Sequence, residues 1–140
     1  MTPGVETRLA SAADADGIAA AHLDSIRTIG ARFYSPEVVE DWAARISSDR
    51  YVKAMENGET FYIAVGTENG KPEVLGFASH RVENSQHRTA VYMKRSASRS
   101  GVGSTLFRLA EGNAVALGAG SIHTMHRSRP WNSTRRTALR

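Results

Sequence analysis

The stretch YMKRSASRSGVGSTLF, residues 92–107, decides how the chain folds. Strand formers (TAVYM, 89–93) run into a polar loop, then Gly101-Val102-Gly103, then an amphipathic helix carried by Leu106, Phe107, Leu109, Ala110, Ala114 and Leu117. Glycines at such a junction let the backbone turn tightly and approach a ligand closely, while the first free N–H groups of the helix point outward. That makes the helix start a site for phosphate oxygens, with Arg95 and Arg99 adding positive charge beside it. Taken alone, the same residues equally describe a glycine turn that merely begins a helix. Two nucleotide-binding fingerprints fail on spacing. A dinucleotide motif needs a third glycine where Leu106 stands, and a phosphate loop needs Gly-Lys-Ser/Thr, which is missing.

Outward from this loop the chain divides by period. VETRLA (5–10) alternates weakly as an opening strand. Ser11 and Asp14 form a capping-box pattern before Ile18, Ala21, His22, Ile26 and Ile29 recur at helical spacing, and Gly30 stops the run. Ser35-Pro36-Glu37 starts a second helix with the stripe Val38, Val39, Trp42 and Ile46. A third, over 48–57, ends at Asn57-Gly58. FYIAV (61–65) and VLGFASHRV (74–82) flank the Asn69-Gly70 turn signal. After the 101–117 helix, Gly118 and Gly120 precede a last strand, SIHTM (121–125). This order predicts a mixed α/β domain with a mainly antiparallel sheet.

Composition narrows the classes. The chain has 140 residues, 41% hydrophobic and 23% charged, with no cysteine. That is the profile of one ordinary globular domain. No apolar run approaches the roughly 20 residues of a membrane span, and the first residues lack the apolar core of a signal peptide. The absence of Cys removes disulfides, thiolate zinc sites and Cys nucleophiles, and fits a reducing cytoplasm; the sequence assigns no metal site. The net charge of +4 comes from 18 Lys+Arg against 14 Asp+Glu. Arg127, Arg129, Arg135, Arg136 and Arg140 lie in residues 126–140, which carry no acid; the other 125 residues hold 13 basic and 14 acidic side chains, a net of −1. A domain-wide basic face, the usual footprint of nucleic-acid binding, is therefore not expected.

The element order and the loop Ser98-Arg99-Ser100-Gly101-Val102-Gly103, with Ser104-x-Leu106 continuing the helix, resemble the GNAT superfamily of acetyl-CoA-dependent N-acetyltransferases. The family signature there is Gln/Arg-x-x-Gly-x-Gly/Ala. AVYM (90–93) and LGFAS (75–79) resemble the family's fourth and third strands. The resemblance implies a GNAT-like mixed, mainly antiparallel twisted sheet flanked by helices over residues 1–125. It implies acetyl-CoA as cofactor, its pyrophosphate on the backbone around Ser98, Arg99, Ser100, Gly101, Val102, Gly103 and Ser104. The pantetheine arm would lie along the strand edge at Val91, Tyr92, Met93 and Lys94. Ser98 departs from the family's Gln or Arg, which affects one side-chain contact and leaves the backbone cradle intact.

The implied reaction is transfer of an acetyl group to a primary amine on a small molecule or peptide. It needs a proton acceptor for the amine and a donor for the oxyanion. Glu83, His80 and His87 are base candidates, though each reads first as a solvated loop residue; His22 reads as packing or a local hydrogen bond, Tyr92 as a strand residue, and no base is assigned. Tyr34 to Glu37 with Asp41 and Trp42 correspond in the family to the acceptor-side helices, but read first as a capped helix with Trp42 in the core.

Residues 126–140 (HRSRPWNSTRRTALR) do not resemble the family, whose members continue into a helix bearing Phe-Tyr-x-x-x-Gly-Phe and two more strands. Back-translation with a one-base shift of frame permits DASIASLEFYAANGFA from Thr124 onward, which does resemble that helix. The expectation is a frameshifted tail, a fold lacking the usual C-terminal helix and strands, an unpaired edge at 121–125 that recruits a second copy through 121–140, and impaired activity. Two other classes remain open: a non-catalytic acyl-CoA-binding module, and a basic-tailed nucleic-acid-binding protein.

Overall fold

The computed structural model describes residues 4–68, 70–98, 100–125 and 134–138. Asn69 of the turn signal, Arg99 of the glycine loop, and most of the basic tail (126–133 and 139–140) lie outside the described residues.

The chain begins with β1 (Glu6–Leu9), then α1 (Ala15–Thr28), α2 (Pro36–Ala43) and α3 (Ser48–Glu56). The starts are chemical. The Ser11 amide donates to the Asp14 carboxylate at 2.8 Å, and Arg8 clamps the same carboxylate at 2.8 and 2.9 Å. Ser35 and Ser47 each accept from a backbone amide three residues on, with Pro36 at the first helical position of α2. Such caps satisfy N–H groups that a helix start otherwise leaves open.

β2 (Thr60–Glu68), β3 (Lys71–Glu83) and β4 (Gln86–Met93) follow as hairpins, then α4 (Val102–Ala116), β5 (Ser121–Met125) and β6 (Thr134–Ala138). They form a six-stranded sheet in chain order, antiparallel throughout except for the parallel β4–β5 pair. The mixed, mainly antiparallel architecture agrees with the sequence reading, and no helix follows β5 among the described residues. Two points are corrections. The 83–88 segment is a two-residue turn, Asn84-Ser85, with φ of +51° and +64°, so β4 starts at Gln86 and includes His87 and Arg88. The sequence reading also leaves β5 as an unpaired edge, whereas Ser121–Met125 pairs with Thr134–Ala138 of the same chain, and the sheet edge moves out to β6.

The sheet separates two cores. On one face α1 and α3 cover Phe61, Ile63 and Phe77, with Ile18, Ala21 and Tyr51 from the helices. On the other, α4 sets Leu106 and Ala110 over Ala64, Ala78, Val91 and Met93. Gly76 is the close approach between β3 and β4: a Cβ there would meet the Met93 sulfur and, at 2.7 Å, the Tyr92 carbonyl oxygen.

Candidate functional site

Strand β4 has two edges. The Lys94 amide donates to the Leu75 carbonyl at 2.8 Å. Because bonded residues alternate along an antiparallel ladder, Tyr92 and Ala90 face β3 with Lys94, and the N–H and C=O groups of Val91 and Met93 face the opposite edge. Parallel pairing on that edge is recorded at Arg88↔His123 and Thr89↔Thr124, and β5 ends at Met125. Among the described residues, therefore, no strand pairs with Val91 and Met93.

This open edge leads into the glycine turn. Gly101 caps α4 in the left-handed region at φ +85°, and a Cβ there would meet nothing within 4 Å. Its requirement for glycine is thus conformational. Ser100 Oγ donates to the Ala97 carbonyl at 2.6 Å and lies 3.4 Å from the Val102 amide, holding the turn. The first-turn amides of Val102, Gly103 and Ser104 face the helix end by geometry. Asp24 of α1 accepts from the Arg95 amide at 2.8 Å, which ties the loop between β4 and α4 to the helix across the sheet. Lys94 is ion-paired with Glu73. The structure thus brings Val91, Tyr92, Met93, Lys94, Ser98, Ser100, Gly101, Val102, Gly103 and Ser104 into one continuous strand–turn–helix start; Arg99 lies outside the described residues.

A cavity of about 270 Å³ opens on the α1/α3 face beside the same strand. It runs from Ala90 and Tyr92 on β4 and His123 on β5 to Glu59 at the start of β2. Its floor is aromatic. His22 Nδ1 and the Tyr51 hydroxyl are 2.6 Å apart, and the His22 ring lies 4.3 Å from that of Tyr92. Burial holds the His22 imidazole neutral, with its pKa lowered to about 3, and pushes Tyr92 up to about 12. The Tyr51 hydroxyl is raised too, by burial first. Glu59 is the cavity's carboxylate. Desolvation raises its pKa, partly opposed by the charge of Arg81, a hydrogen bond from Ser79 and the charge of Arg50. A half-buried carboxylate poised above its ordinary range is what a proton acceptor at neutral pH requires.

The base candidates read from sequence lie elsewhere. Glu83 is exposed at the β3–β4 turn, 3.0 Å from Arg81. His80 is not a loop residue: it is 1% exposed under α4, where Asn113 Nδ2 donates to its Nδ1 at 2.8 Å. Its Nε2 is 2.9 Å from His87 Nδ1, the two rings stacked. Neither histidine lines the cavity. Among the residues read as acceptor-side, Asp41 pairs with Arg45 at 3.2 Å, Glu37 lies in the first turn of α2, and Trp42 packs edge-on to Tyr34 at 4.6 Å. None of these lines the cavity. Sequence reasoning missed Glu59, Arg50, Arg81 and Arg88. The one available signal was Glu59's place immediately after the Asn57-Gly58 helix stop.

No family model matches the sequence, and no curated protein matches it. Solved structures do. A PaiA N-acetyltransferase from Thermoplasma acidophilum, in complex with coenzyme A, superposes with a TM-score of 0.71 at 20% identity over 89% of this chain and 79% of that one. A GCN5-related N-acetyltransferase from Rhodopseudomonas palustris gives 0.70 at 28% identity over 90% and 75%. A putative acetyltransferase, YncA, from Salmonella typhimurium with its cofactor acetyl-CoA gives 0.64 at 18% over 86% and 68%.

Proposed function

We infer from a chain that belongs by its fold to the GNAT superfamily that it is an N-acetyltransferase, moving an acetyl group from acetyl-CoA to a primary amine. The observation that carries this reading is the open outer edge of β4. It runs directly into the Gly101 turn, and Ala90 and Tyr92 of the same strand line a cavity that holds a carboxylate.

In this reading the amides and carbonyls of Val91 and Met93 pair with the amide-bearing arm of the cofactor as a strand would. The start of α4 takes the pyrophosphate, where oriented amides favour anionic oxygen. Tyr92 presents its backbone to β3 and its ring to the cavity, so it shapes the acceptor side. Glu59 accepts the ammonium proton, directly or through water. The freed amine attacks the thioester carbonyl carbon, the C–N bond forms, the C–S bond breaks, the nitrogen releases its second proton to solvent, and the thiolate takes one up from solvent. His22 and Tyr51 stay neutral and keep the wall apolar.

A thermal-shift titration with acetyl-CoA tests the reading, comparing the native chain with Gly103→Trp, whose indole occupies the helix start. The native chain gains stability with ligand, by about 2.7 kcal/mol at a hundredfold excess over Kd, and the variant does not. Equal shifts in both would refute the site. Stabilisation without turnover on any amine would select a binding module, and salt-sensitive DNA binding lost on removing 126–140 would select a nucleic-acid role. The tail itself is proposed as a frame-shifted replacement of a family-like C-terminus. Sequencing the gene settles it: no shifted continuation resembling the family helix means the proposal fails.

A further inference from the structure

We propose that the acceptor carries an anionic group, a carboxylate or a phosphate, close to its reactive amine, and that Arg50, Arg81 and Arg88 read that group; the proposal rests on the acetyltransferase reading above. The cavity wall is asymmetric in charge. Three guanidiniums (Arg50 on α3, Arg81 on β3 and Arg88 on β4) line it together with a single carboxylate, Glu59. An adjoining surface groove shares Arg50, Glu59 and Arg81 and adds Lys53 and Glu83. Two of these cations have partners already. Lys53 pairs with Asp49 at 2.9 Å, and Arg81 pairs with Glu83 at 3.0 Å.

The other two keep capacity to spare. Arg50 makes no ion pair among the described residues. Its charge nevertheless bears on His22, Tyr51, Glu59 and Tyr92, four groups around the cavity. Arg88 spends one terminal nitrogen on the Gln86 side chain at 3.0 Å, while its Nε is buried with no hydrogen-bond partner among the described residues, 4.0 Å from the Glu83 carboxylate. A buried guanidinium N–H without an acceptor is costly unless a ligand supplies one.

A purely cationic amine, such as a polyamine, would enter against three like charges with one carboxylate to receive it. A zwitterion meets its complement: the ammonium end at Glu59 and the anionic end at the guanidiniums, whose planar forks suit carboxylate or phosphate oxygens. The three arginines come from three elements that meet only in the fold, and all three line the same cavity.

The test uses the whole chain with acetyl-CoA. Each common L-amino acid is offered against its decarboxylated amine, phosphoethanolamine against ethanolamine, and spermidine beside them, with acetylated product read by mass spectrometry. In parallel, calorimetry on the CoA-loaded protein measures binding of the matching N-acetyl products, so that a slow enzyme still gives an answer. The anionic member of at least one pair should win by about tenfold or more in kcat/KM or in product affinity, a factor equal to 1.4 kcal/mol. The amino-acid and phosphoethanolamine arms say which anion is read. Arg50→Gln and Arg81→Gln should each cut that preference severalfold, with acetyl-CoA affinity unchanged. Equal use of the neutral amines, preference for spermidine, or no product binding by either class would overturn the proposal while leaving acetyl-CoA binding in place. Failure to bind acetyl-CoA would instead sink the underlying function.

Discussion

The two faces of the sheet are built from different materials. Under α4 the space between helix and strands is closed by small and aliphatic side chains, Ala64, Ala78, Val91, Met93, Leu106 and Ala110. The polar pair set among them, His80 and Asn113, satisfies itself. Under α1 and α3 the filling is aromatic, with Phe61 and Phe77 tilted at 5.9 Å and Tyr51 edge-on to both. Rigid rings meeting at steep angles leave room that aliphatic chains would occupy, and there the charged cavity lies. One face fixes the strands, and the other holds space beside them. A titratable residue on the first face is structural, and one on the second is available for chemistry.

The largest effect is expected where the aromatic frame is cut. Phe77→Ala should lower stability by about 3–5 kcal/mol by urea unfolding, as for other large-to-small changes in cores. A loss below about 1 kcal/mol would mean the ring frame does not support the cavity. Next comes the chemistry. Glu59→Gln should lower kcat/KM about a hundredfold or more, the scale of a lost general base, with little change in acetyl-CoA binding. Because burial raises the Glu59 pKa, native activity should fall with decreasing pH from above the ordinary carboxylate range, and the variant should lack that limb.

The aromatic face also has a pH signature in stability. His22 is buried and its folded pKa is lowered to about 3, while the unfolded chain titrates near 6.5. Between those values the unfolded state binds the extra proton, so stability is full above the upper value and declines as pH falls towards the lower one. The slope approaches about 1.4 kcal/mol per pH unit. His22→Phe should flatten it, and an unchanged slope would assign the acid sensitivity to another group. Gly101→Val should cost about 1–2 kcal/mol through its left-handed backbone, together with cofactor-induced stabilisation. The smallest effect belongs to the closed face: His87→Ala should cost about 1 kcal/mol and leave turnover within twofold. A hundredfold loss there would erase the distinction between the faces.

Local chemistry made much of the fold legible. Ser35-Pro36 announces α2 because the serine side chain and the proline ring act within one turn. Gly101 announces the α4 junction because only glycine adopts φ +85° without strain. The start of β4 was hidden because Asn84-Ser85 turns with positive φ at both residues and no glycine. The tail segment TRRTA, read as basic charge in a shifted frame and not as a strand, pairs as β6. Half of the candidate site was equally plain, since residues 91–104 are contiguous. The other half was not. Arg50, Glu59, Arg81 and Arg88 are scattered over 39 positions, each unremarkable locally, and only the folding of α3 against β3 and β4 makes them neighbours.

Asp24, which accepts the Arg95 amide, stands two residues from His22 on α1. One helix therefore touches both the charged cavity and the loop that precedes the glycine turn. A ligand that shifts that loop pulls on α1, and a ligand that shifts α1 pulls on the loop. Thermodynamics makes such a lever symmetric: whatever factor the cofactor adds to acceptor affinity, the acceptor must return to the cofactor. Asp24 is the place where that factor would be cut to one.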